Sequence, residues 1–236
     1  MTRFLDPVAL DFVWESLDAG EPPYPLDVKS HGTTMDEPGA MRHRVWVNLR
    51  TQQMLDMDGR LSADVADWLT LLAHGTHSID AVFEGTAALA VSNGARALLA
   101  TQTADGGLTL RPIDPAALAS SVVALLPPHP RGREHSITIP VADLRSPRSP
   151  MDREVLKSLA DQPKLRAGQL AANARNPVGG RRRAPVLSWF DTAQGRYLTY
   201  SNKGRDGTEW MTIAPADAAT LRYRLTELLS GLTTGR

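Results

Sequence analysis

Two histidines and an aspartate near the middle of the chain have a spacing that could hold a metal ion. His74, His77 and Asp80 follow one another at intervals of three residues. A zinc site needs such ligands on a rigid frame, most often two histidines on one helix. Here Gly75 and Thr76 stand between the histidines and predict the end of a helix. Histidines at the surface are therefore the simpler interpretation, and we expect no metal.

A nucleophile or a general base would have to come from a few other positions. Ser30 and His31 are adjacent, but neighbouring side chains usually point apart, so adjacency does not make a catalytic pair. Asp191 follows Trp189 and Phe190 at the end of a predicted strand, where aspartate commonly starts a turn. The sequence contains no G-x-S-x-G elbow and no glycine-rich phosphate loop. We therefore expect no catalytic residue and no cofactor.

Arginine carries most of the positive charge, and the main basic run is Arg181–Arg183. It follows Gly179–Gly180 and precedes Pro185, which predicts a loop from Arg175 to Ala184. Such a run can bind phosphate, contact an acidic partner or lie in solvent. The chain has 26 basic and 26 acidic side chains, although residues 1–80 hold 6 basic and 13 acidic ones. Nucleic-acid binding usually needs a stronger basic excess, so we expect no nucleic-acid partner.

Composition limits the class of protein. The 236 residues are 42% apolar and 22% charged, which suits a globular chain with a sizeable core. No cysteine is present, so disulfides and thiolate metal sites are excluded. The first residues lack the apolar stretch of a secretory signal, and no apolar run approaches about 18 residues. We expect a soluble, cytoplasmic protein without membrane insertion.

Apolar residues at i, i+3, i+4 and i+7 predict amphipathic helices along the chain. Asp6 and Pro7 favour a helix start, and Thr34 and Glu37 have the spacing of a capping box. The predicted helices run from Asp6 to Gly20, Thr34 to Gln53, Ser62 to His74, Asp114 to Leu126, Met151 to Ala160, Leu165 to Ala174, and Pro215 to near Gly231. Side chains predicted to face inward include Met41, Val45, Leu49, Val65, Leu69, Leu72, Met151, Val155 and Leu159.

From His77 onward the apolar period changes to two, which predicts strands. Asn93–Gly94 is a strong signal for a hairpin with a two-residue turn. The predicted strands are His77–Glu84, Thr86–Ser92, Ala95–Thr103 and Leu108–Arg111 in a first meander, Val186–Asp191, Arg196–Ser201 and Glu209–Ile213 in a second, and single strands at Leu26–Lys29 and Ser136–Ile139.

The two meanders end alike. Asp105–Gly106 starts the last strand of the first, and Asp206–Gly207 starts the last strand of the second, 101 residues later. Pro115 and Pro215, 100 residues apart, then begin a helix in each copy. Antiparallel sheets often end in this way by chance. The alternative is a protein built from two related halves that share one sheet, since each meander alone has little core.

Several separated blocks together carry a family resemblance. In chain order they are Phe12 and Trp14, Pro25-Leu26, Val28, Ser30-His31-Gly32, Leu110-Arg111-Pro112, Leu125-Leu126-Pro127-Pro128, Arg181-Arg182-Arg183, Trp189-Phe190-Asp191-Thr192, Gly195-Arg196-Tyr197, Asp206-Gly207, Trp210 and Pro215-Ala216-Asp217. No single block is specific, but the series covers essentially the whole chain in order. It resembles the EspG family of ESX, or type VII, secretion-associated proteins of actinobacteria.

The resemblance implies both a function and a fold. Members of this family are cytosolic chaperones that bind PE–PPE heterodimers destined for secretion and keep them soluble. The implied fold is α+β, with a central antiparallel sheet, helical bundles packed on it, and a quasi-two-fold repeat of a meander followed by a helix. We accordingly expect a single domain over residues 1–236, with related halves of about 1–130 and 131–236.

The resemblance also implies a partner-binding surface. The family holds its partner with the loop after the second strand and with the C-terminal helical bundle. The corresponding loop here is very short, whereas some members carry a long insertion, so the partner or its angle of approach could differ. The partner-binding residues implied in this chain are Glu84, Gly85, Thr86, Val155, Leu159, Leu165, Arg181, Arg182 and Arg183.

Two other functions stay open at this level. One is a small hydrolase or a ligand-binding α+β protein that uses His31 or Asp191, which would require these side chains to line a shared cleft. The other is a regulatory protein that binds acidic partners through Arg181–Arg183, which would make binding strongly salt-dependent. Exposed sheet edges could also pair in a homodimer.

Overall fold

A computed structural model describes residues 2–30, 38–145, 147–176 and 180–234. Within these ranges the fold is α+β and the sheet is antiparallel, as expected. The strands are β1 (Arg3–Leu5), β2 (His77–Phe83), β3 (Thr86–Ser92), β4 (Ala97–Gln102), β5 (Leu108–Ile113), β6 (Ile137–Pro140), β7 (Arg166–Arg175), β8 (Arg181–Arg183), β9 (Leu187–Thr192), β10 (Gly195–Lys203) and β11 (Glu209–Pro215). The helices are α1 (Pro7–Ser16), α2 (Pro38–Thr51), α3 (Ala63–His74), α4 (Leu118–Val123), α5 (Pro150–Asp161) and α6 (Ala218–Thr234).

The backbone packs as two compact units. Unit one comprises Met1–Ser78 with Gly85–Leu118, and unit two comprises Ile79–Glu84 with Ala119–Arg236. The single domain with two related halves, expected from the sequence, stays a prediction. In the part of the chain that the structure describes, no helix is long and apolar enough to cross a bilayer.

In unit one the strands lie in the order β1-β5-β4-β3, and each neighbouring pair is antiparallel. Helices α1, α2 and α3 contribute to one core with this sheet. Each fully buried Val, Leu or Phe side chain in this core contributes about 1.5–3 kcal/mol to folding. The structure confirms the inward prediction for Val45, Leu49, Val65, Leu69 and Leu72, which are at most 6% exposed.

The start of α1 follows the sequence prediction. The Asp6 Oδ1 atom accepts a hydrogen bond of 2.9 Å from the Ala9 backbone amide, and Pro7 occupies the first turn. Beyond the helix, the Trp14 indole Nε1 donates to the Gly20 carbonyl at 2.7 Å, and Gly20 has a φ of +74°. The Asp6 contact fixes the predicted start of α1, but the helix ends at Ser16, four residues before the Gly20 predicted to end it.

The segment Leu26–Lys29 forms no strand, so that prediction was wrong. The Asp27 amide donates to Gln102 Oε1 at 2.8 Å, and Gln102 Nε2 donates to the Asp27 carbonyl at 2.7 Å. One amide side chain therefore takes both backbone groups that a neighbouring strand would pair. An alternating apolar and charged sequence does not show whether the backbone will pair with a strand or with a side chain such as Gln102.

The hairpin between β3 and β4 is present, but four residues, 93–96, connect its strands rather than two. Asn93 Oδ1 accepts hydrogen bonds from the amides of Ala95 at 3.1 Å and Arg96 at 2.9 Å. Gly94 has a φ of +91°, which glycine adopts without strain. The asparagine side chain thus closes the turn itself and lengthens the connection.

In unit two the strands lie in the order β2-β7-β9-β10-β11-β6, and β8 pairs with β7. The pairs β7–β9, β9–β10, β10–β11, β11–β6 and β7–β8 are antiparallel. Helix α5 contributes to a core beside this sheet, and the buried residues of that core are Ile137, Val155, Leu159, Tyr197 and Ile213. The predicted strand at Ser136–Ile139 is confirmed as β6.

The helix predicted from Leu165 to Ala174 is wrong, because this segment forms most of β7. Its alanine-rich sequence favours a helix when considered alone. In the fold, a Cβ atom at Gly168 would lie 2.7 Å from the Phe83 Cβ atom and 2.8 Å from the Trp189 Nε1 atom. The close packing of Phe83 and Trp189 and the pairing with β9 therefore favour a strand here. These contacts involve residues far along the chain, so the local sequence does not show them.

The loop predicted from Arg175 to Ala184 is also corrected. Arg181–Arg183 form β8 and pair with Asn173–Arg175 of β7. Asn176 closes this hairpin, since its amide donates to the Gly180 carbonyl at 2.9 Å and its Oδ1 accepts from the Gly180 amide at 2.7 Å. Residues 177–179 of the predicted loop lie outside the described residues.

Three helix predictions need smaller corrections. Met151 is 61% exposed rather than inward. After Asp114, a 3₁₀ turn at Pro115–Ala117 precedes the short helix α4. Pro215 still belongs to β11, and α6 begins after Asp217, whose Oδ1 accepts from the Thr220 amide at 2.7 Å. His31, the capping box of Thr34 and Glu37, and the Met41 side chain lie outside the described residues.

Candidate partner-binding surface

The turn Glu84–Gly85 joins β2 to β3, and Thr86 is the first residue of β3. Glu84 has a φ of +45° and Gly85 a φ of +74°. Positive φ at both positions is the geometry of a tight two-residue turn. This turn is therefore as short in the structure as the sequence predicts, and only Glu84 extends a long side chain from it.

The apolar residues predicted to bind a partner differ in their exposure. Val155 and Leu159 are 3% and 4% exposed and belong to the core beneath α5. Leu165, just beyond α5, is 54% exposed, and Met151 in the first turn of α5 is 61% exposed. The apolar groups available to a partner around α5 are thus Met151 and Leu165, while Val155 and Leu159 hold the helix in place.

The chain around Leu165 is firmly held. Its amide donates to the Asp191 carbonyl at 2.8 Å. The preceding residue, Lys164, donates to the Leu159 carbonyl and places its ammonium 4.6 Å from the centre of the Phe190 ring. Burial lowers the pKa of Lys164. Leu165 is therefore presented at the surface on a fixed backbone.

Three arginines share one face of the β7–β8 hairpin. The register pairs Arg175 with Arg181 and Asn173 with Arg183, and such residues of antiparallel strands point to the same side. Arg183 holds the Asp80 carboxylate through Nη1–Oδ2 at 2.6 Å and Nη2–Oδ1 at 3.0 Å. Asn173 Nδ2 donates to the same Oδ2 at 2.7 Å. We call Arg175, Arg181 and Arg183 the arginine face.

Of the three guanidinium groups on the arginine face, that of Arg183 binds the Asp80 carboxylate, and neither β7 nor β8 contains an acidic residue. Burial, and then the positive charge of Arg181, lower the pKa of Arg175. Arg182 points to the opposite side, where it donates to the Leu232 carbonyl near the end of α6 at 3.1 Å. Arg181, Arg182 and Arg183 thus fall on two faces rather than in one patch.

Asp191 lies in β9 with a carboxylate that is 0% exposed. Arg196 donates to it twice, from Nε to Oδ1 at 2.7 Å and from Nη2 to Oδ2 at 2.9 Å. The same Nη2 donates to the Pro127 carbonyl at 2.8 Å, and the guanidinium lies 4.5 Å from the centre of the Trp189 ring. Arg166 approaches the carboxylate to 3.8 Å. This is a buried and well-satisfied ion pair.

The turn after β9 is started by Thr192 instead of Asp191. Thr192 Oγ1 accepts from the Gln194 amide and donates to the Gly195 carbonyl, each at 3.2 Å. The expected turn-starting role of Asp191 is therefore wrong. The sequence did contain a signal for this ion pair. Asp191 and Arg196 flank a predicted tight hairpin turn, and the strand register places them opposite each other.

The side chains with the spacing of a metal site make other contacts in the structure. No group of three or more His, Asp or Glu residues among the described residues could hold a metal ion. Asp80, part of the tested metal spacing, binds Arg183 instead, and His77 Nδ1 lies 3.0 Å from Thr76 Oγ1. Pockets in unit one have volumes of 170, 270 and 280 Å³.

Comparison with known proteins agrees with this architecture. The model of the EspG family matches residues 6–227. No curated protein is similar enough in sequence to count as a match. Among solved structures, the fold is similar to the Mycobacterium tuberculosis type VII secretion system chaperone EspG5, determined in complex with a PE25–PPE41 dimer. The TM-score is 0.77 at 13% identity, covering 100% of this chain and 98% of that one. The family match spans nearly the whole sequence, and the chain therefore belongs to the EspG family.

Proposed function

We propose that this protein is a chaperone that binds a PE–PPE-type heterodimer and keeps it soluble for type VII secretion. The observation that carries the proposal is membership of the EspG family over residues 6–227. The fold likeness to EspG5, whose structure contains a PE25–PPE41 dimer, supports it. The proposal places the protein in the cytoplasm, where a secreted pair would need protection before export.

The physical reason for such a chaperone is the chemistry of its partner. A helical pair with an exposed apolar tip would aggregate in water, and covering that tip removes the hazard. Release before export requires a modest interface with a polar rim. Met151 and Leu165 supply exposed apolar area around α5, on a helix held by Val155 and Leu159. Glu84 supplies a polar contact from a turn with little reach.

We also propose that the protein acts by binding and not by catalysis. A hydrolase in this chain would depend on His31 or Asp191. Both carboxylate oxygens of Asp191 are bound by the buried Arg196, so this group has no access to a substrate. His31 lies outside the described residues. The hydrolase alternative thus loses one of its two residues.

Coexpression tests the proposal and its surface together. With the cognate PE–PPE pair, the chain should elute as one soluble complex in size-exclusion chromatography. Met151→Glu with Leu165→Glu should weaken the complex by at least roughly tenfold, because charges would enter the apolar contact. Met57→Glu is the matched control, since Met57 is 101% exposed and lies in unit one.

Two results would count against these statements. If no PE–PPE pair encoded near the gene forms a complex, the chaperone function is contradicted. If complexes form but tolerate both charged substitutions around α5 as well as they tolerate Met57→Glu, the function stands and this surface is wrong. Circular dichroism on each variant separates loss of binding from loss of folding.

A further inference from the structure

We infer that one face of the strands β10, β11 and β6 in unit two is a docking site for a proline-rich segment in the polyproline II conformation. Two cross-strand rows form this surface, which we call the aromatic face. The rows are Tyr200–Thr212–Thr138 and Asn202–Trp210–Pro140. The inference concerns a surface apart from the apolar groups around α5. It does not depend on the chaperone function, because a simple peptide can test it.

The two sides of these strands have opposite surroundings. On one side, Ile137, Tyr197 and Ile213 are buried in the core that α5 covers. On the other side, Trp210 is 37% exposed and Tyr200 is half-buried. Residues directly opposite one another in antiparallel strands point to the same side, so the two aromatic groups share the open one. Adjacent exposed aromatic rings are typical of a contact with another molecule.

The spacing of the two rings suits a proline. Tyr200 pairs with Thr212, and Trp210 lies two residues from Thr212 on the same strand. Tyr200 and Trp210 are therefore diagonal neighbours, with Cα atoms about 7–8 Å apart and side chains that stand roughly perpendicular to the sheet. A ring inserted between them would contact each aromatic ring at about 3.5–4.0 Å. The pyrrolidine ring of proline has the shape for this slot.

The Tyr200 side of the slot is held by α6. The Arg224 guanidinium lies 5.4 Å from the centre of the Tyr200 ring, and its Nη1 donates to Glu227 Oε2 at 2.8 Å. A cation stacked on the ring restrains the tyrosine before any ligand arrives. Less conformational entropy is then lost on binding.

The aromatic face offers hydrogen-bond donors. Within the part of the chain that the structure describes, the Trp210 indole and the Tyr200 hydroxyl form no hydrogen bond with the protein. The hydroxyls of Thr138 and Thr212 share one bond of 2.9 Å, which leaves one hydroxyl proton to donate. A polyproline II segment has exposed carbonyl acceptors, and its prolines have no N–H. Donors on the protein would thus meet acceptors on the ligand.

Charge and shape favour this ligand over other polypeptides. None of the six side chains in the two rows is charged, and Arg224 is paired with Glu227, so the surface attracts neither acidic nor basic segments. A helix needs a broad apolar groove, which the threonines and Asn202 interrupt. A polyproline II segment is already extended in solution and suits a narrow aromatic slot.

The test uses the full chain and fluorescein-labelled decaproline, followed by fluorescence anisotropy. We expect saturable binding that changes little with salt, because no net charge is involved. Trp210→Ala and Tyr200→Ala should each weaken binding by roughly tenfold or more. Phe4→Ala is the matched control, since Phe4 is an aromatic residue on a strand, is 49% exposed and lies in unit one. This control should stay within roughly twofold of the parent.

A second variant separates the hydrogen bond from the packing of the ring. Trp210→Phe keeps an apolar ring at the surface but removes the indole N–H, so decaproline should bind several-fold more weakly. It also keeps the test if circular dichroism shows that Trp210→Ala does not fold.

Three outcomes overturn the inference. These are no saturable binding of decaproline, equal weakening by Phe4→Ala and the two variants of the aromatic face, or tighter binding of a length-matched glycine–serine peptide or of maltoheptaose through the same residues. Formation of a PE–PPE complex is scored separately, so failure here leaves the proposed function untouched.

Discussion

Unit two contains two bidentate aspartate–arginine pairs that differ in their exposure to solvent. Asp191–Arg196 and Asp80–Arg183 each join two carboxylate oxygens to a guanidinium, with shortest contacts of 2.7 Å and 2.6 Å. In the first pair the side chains are 0% and 2% exposed, and in the second they are 3% and 40% exposed. The same kind of bidentate ion pair is therefore buried in one place and partly exposed to solvent in the other.

The difference lies in what each arginine still faces. Arg196 is covered by Trp189 and also donates to the Pro127 carbonyl, so its donors are used inside the fold. Arg183 lies on β8 opposite Asn173 of β7, and 40% of its side chain is exposed. The first pair is thus held inside the fold, whereas the second leaves part of its guanidinium group in contact with solvent.

The largest effect should come from breaking the enclosed pair. Asp191→Ala leaves the buried guanidinium of Arg196 without its carboxylate and should lower the free energy of unfolding by about 3–5 kcal/mol. Urea denaturation followed by tryptophan fluorescence measures this loss. Asp161→Ala, an exposed position on α5, is the control and should unfold with the parent. A loss below about 1 kcal/mol at Asp191 would contradict its structural role.

A smaller effect is expected at the half-exposed pair. Asp80→Ala removes an acceptor for Arg183 and Asn173, but the arginine can turn toward water, so the loss should be about 1–3 kcal/mol. The same denaturation measurement applies. If Asp80→Ala and Asp191→Ala cost the same, exposure does not distinguish the two pairs.

The smallest change in stability belongs to the arginine face itself. Arg181→Gln removes a like charge opposite Arg175 and should leave the free energy of unfolding within about 0.5 kcal/mol, with a gain as the expected sign. Urea denaturation followed by tryptophan fluorescence measures this change as well. A destabilisation above about 1 kcal/mol would show that Arg181 contributes to the stability of the fold, as Arg196 does.

The sequence predicted best where a periodic pattern and a local signal agreed. Val65, Leu69 and Leu72 repeat at helical spacing and are buried in α3. Asp6 and Pro7 mark the start of α1 because an N-cap hydrogen bond involves residues three apart. The meander after Pro185 was also found from its alternation and turns. In each case, residues close together in the sequence were sufficient to predict the element.

The candidate site was predicted only in part. The resemblance pointed to Leu165 and to Arg181, which are exposed, and equally to Val155 and Leu159, which are buried. Helical spacing identifies the two buried residues as an apolar stripe, but it does not show which side of the stripe meets a core. The sequence gave no signal that Asp80 binds Arg183, because the two residues are about a hundred positions apart. It also gave no signal that Arg175 lies opposite Arg181, because that depends on the pairing of β7 with β8.

The sequence by itself determined the family, the α+β class, the hydrophobic faces of the helices and the absence of thiol chemistry. Only the tertiary structure decided that Arg166–Arg175 is a strand, that Asp191 is enclosed by Arg196, and that three of the arginines share one face. The physical reason is the range of the interactions. Caps, turns and periodic faces depend on residues within a few positions, whereas strand pairing and ion pairing depend on groups that meet only when distant segments fold together.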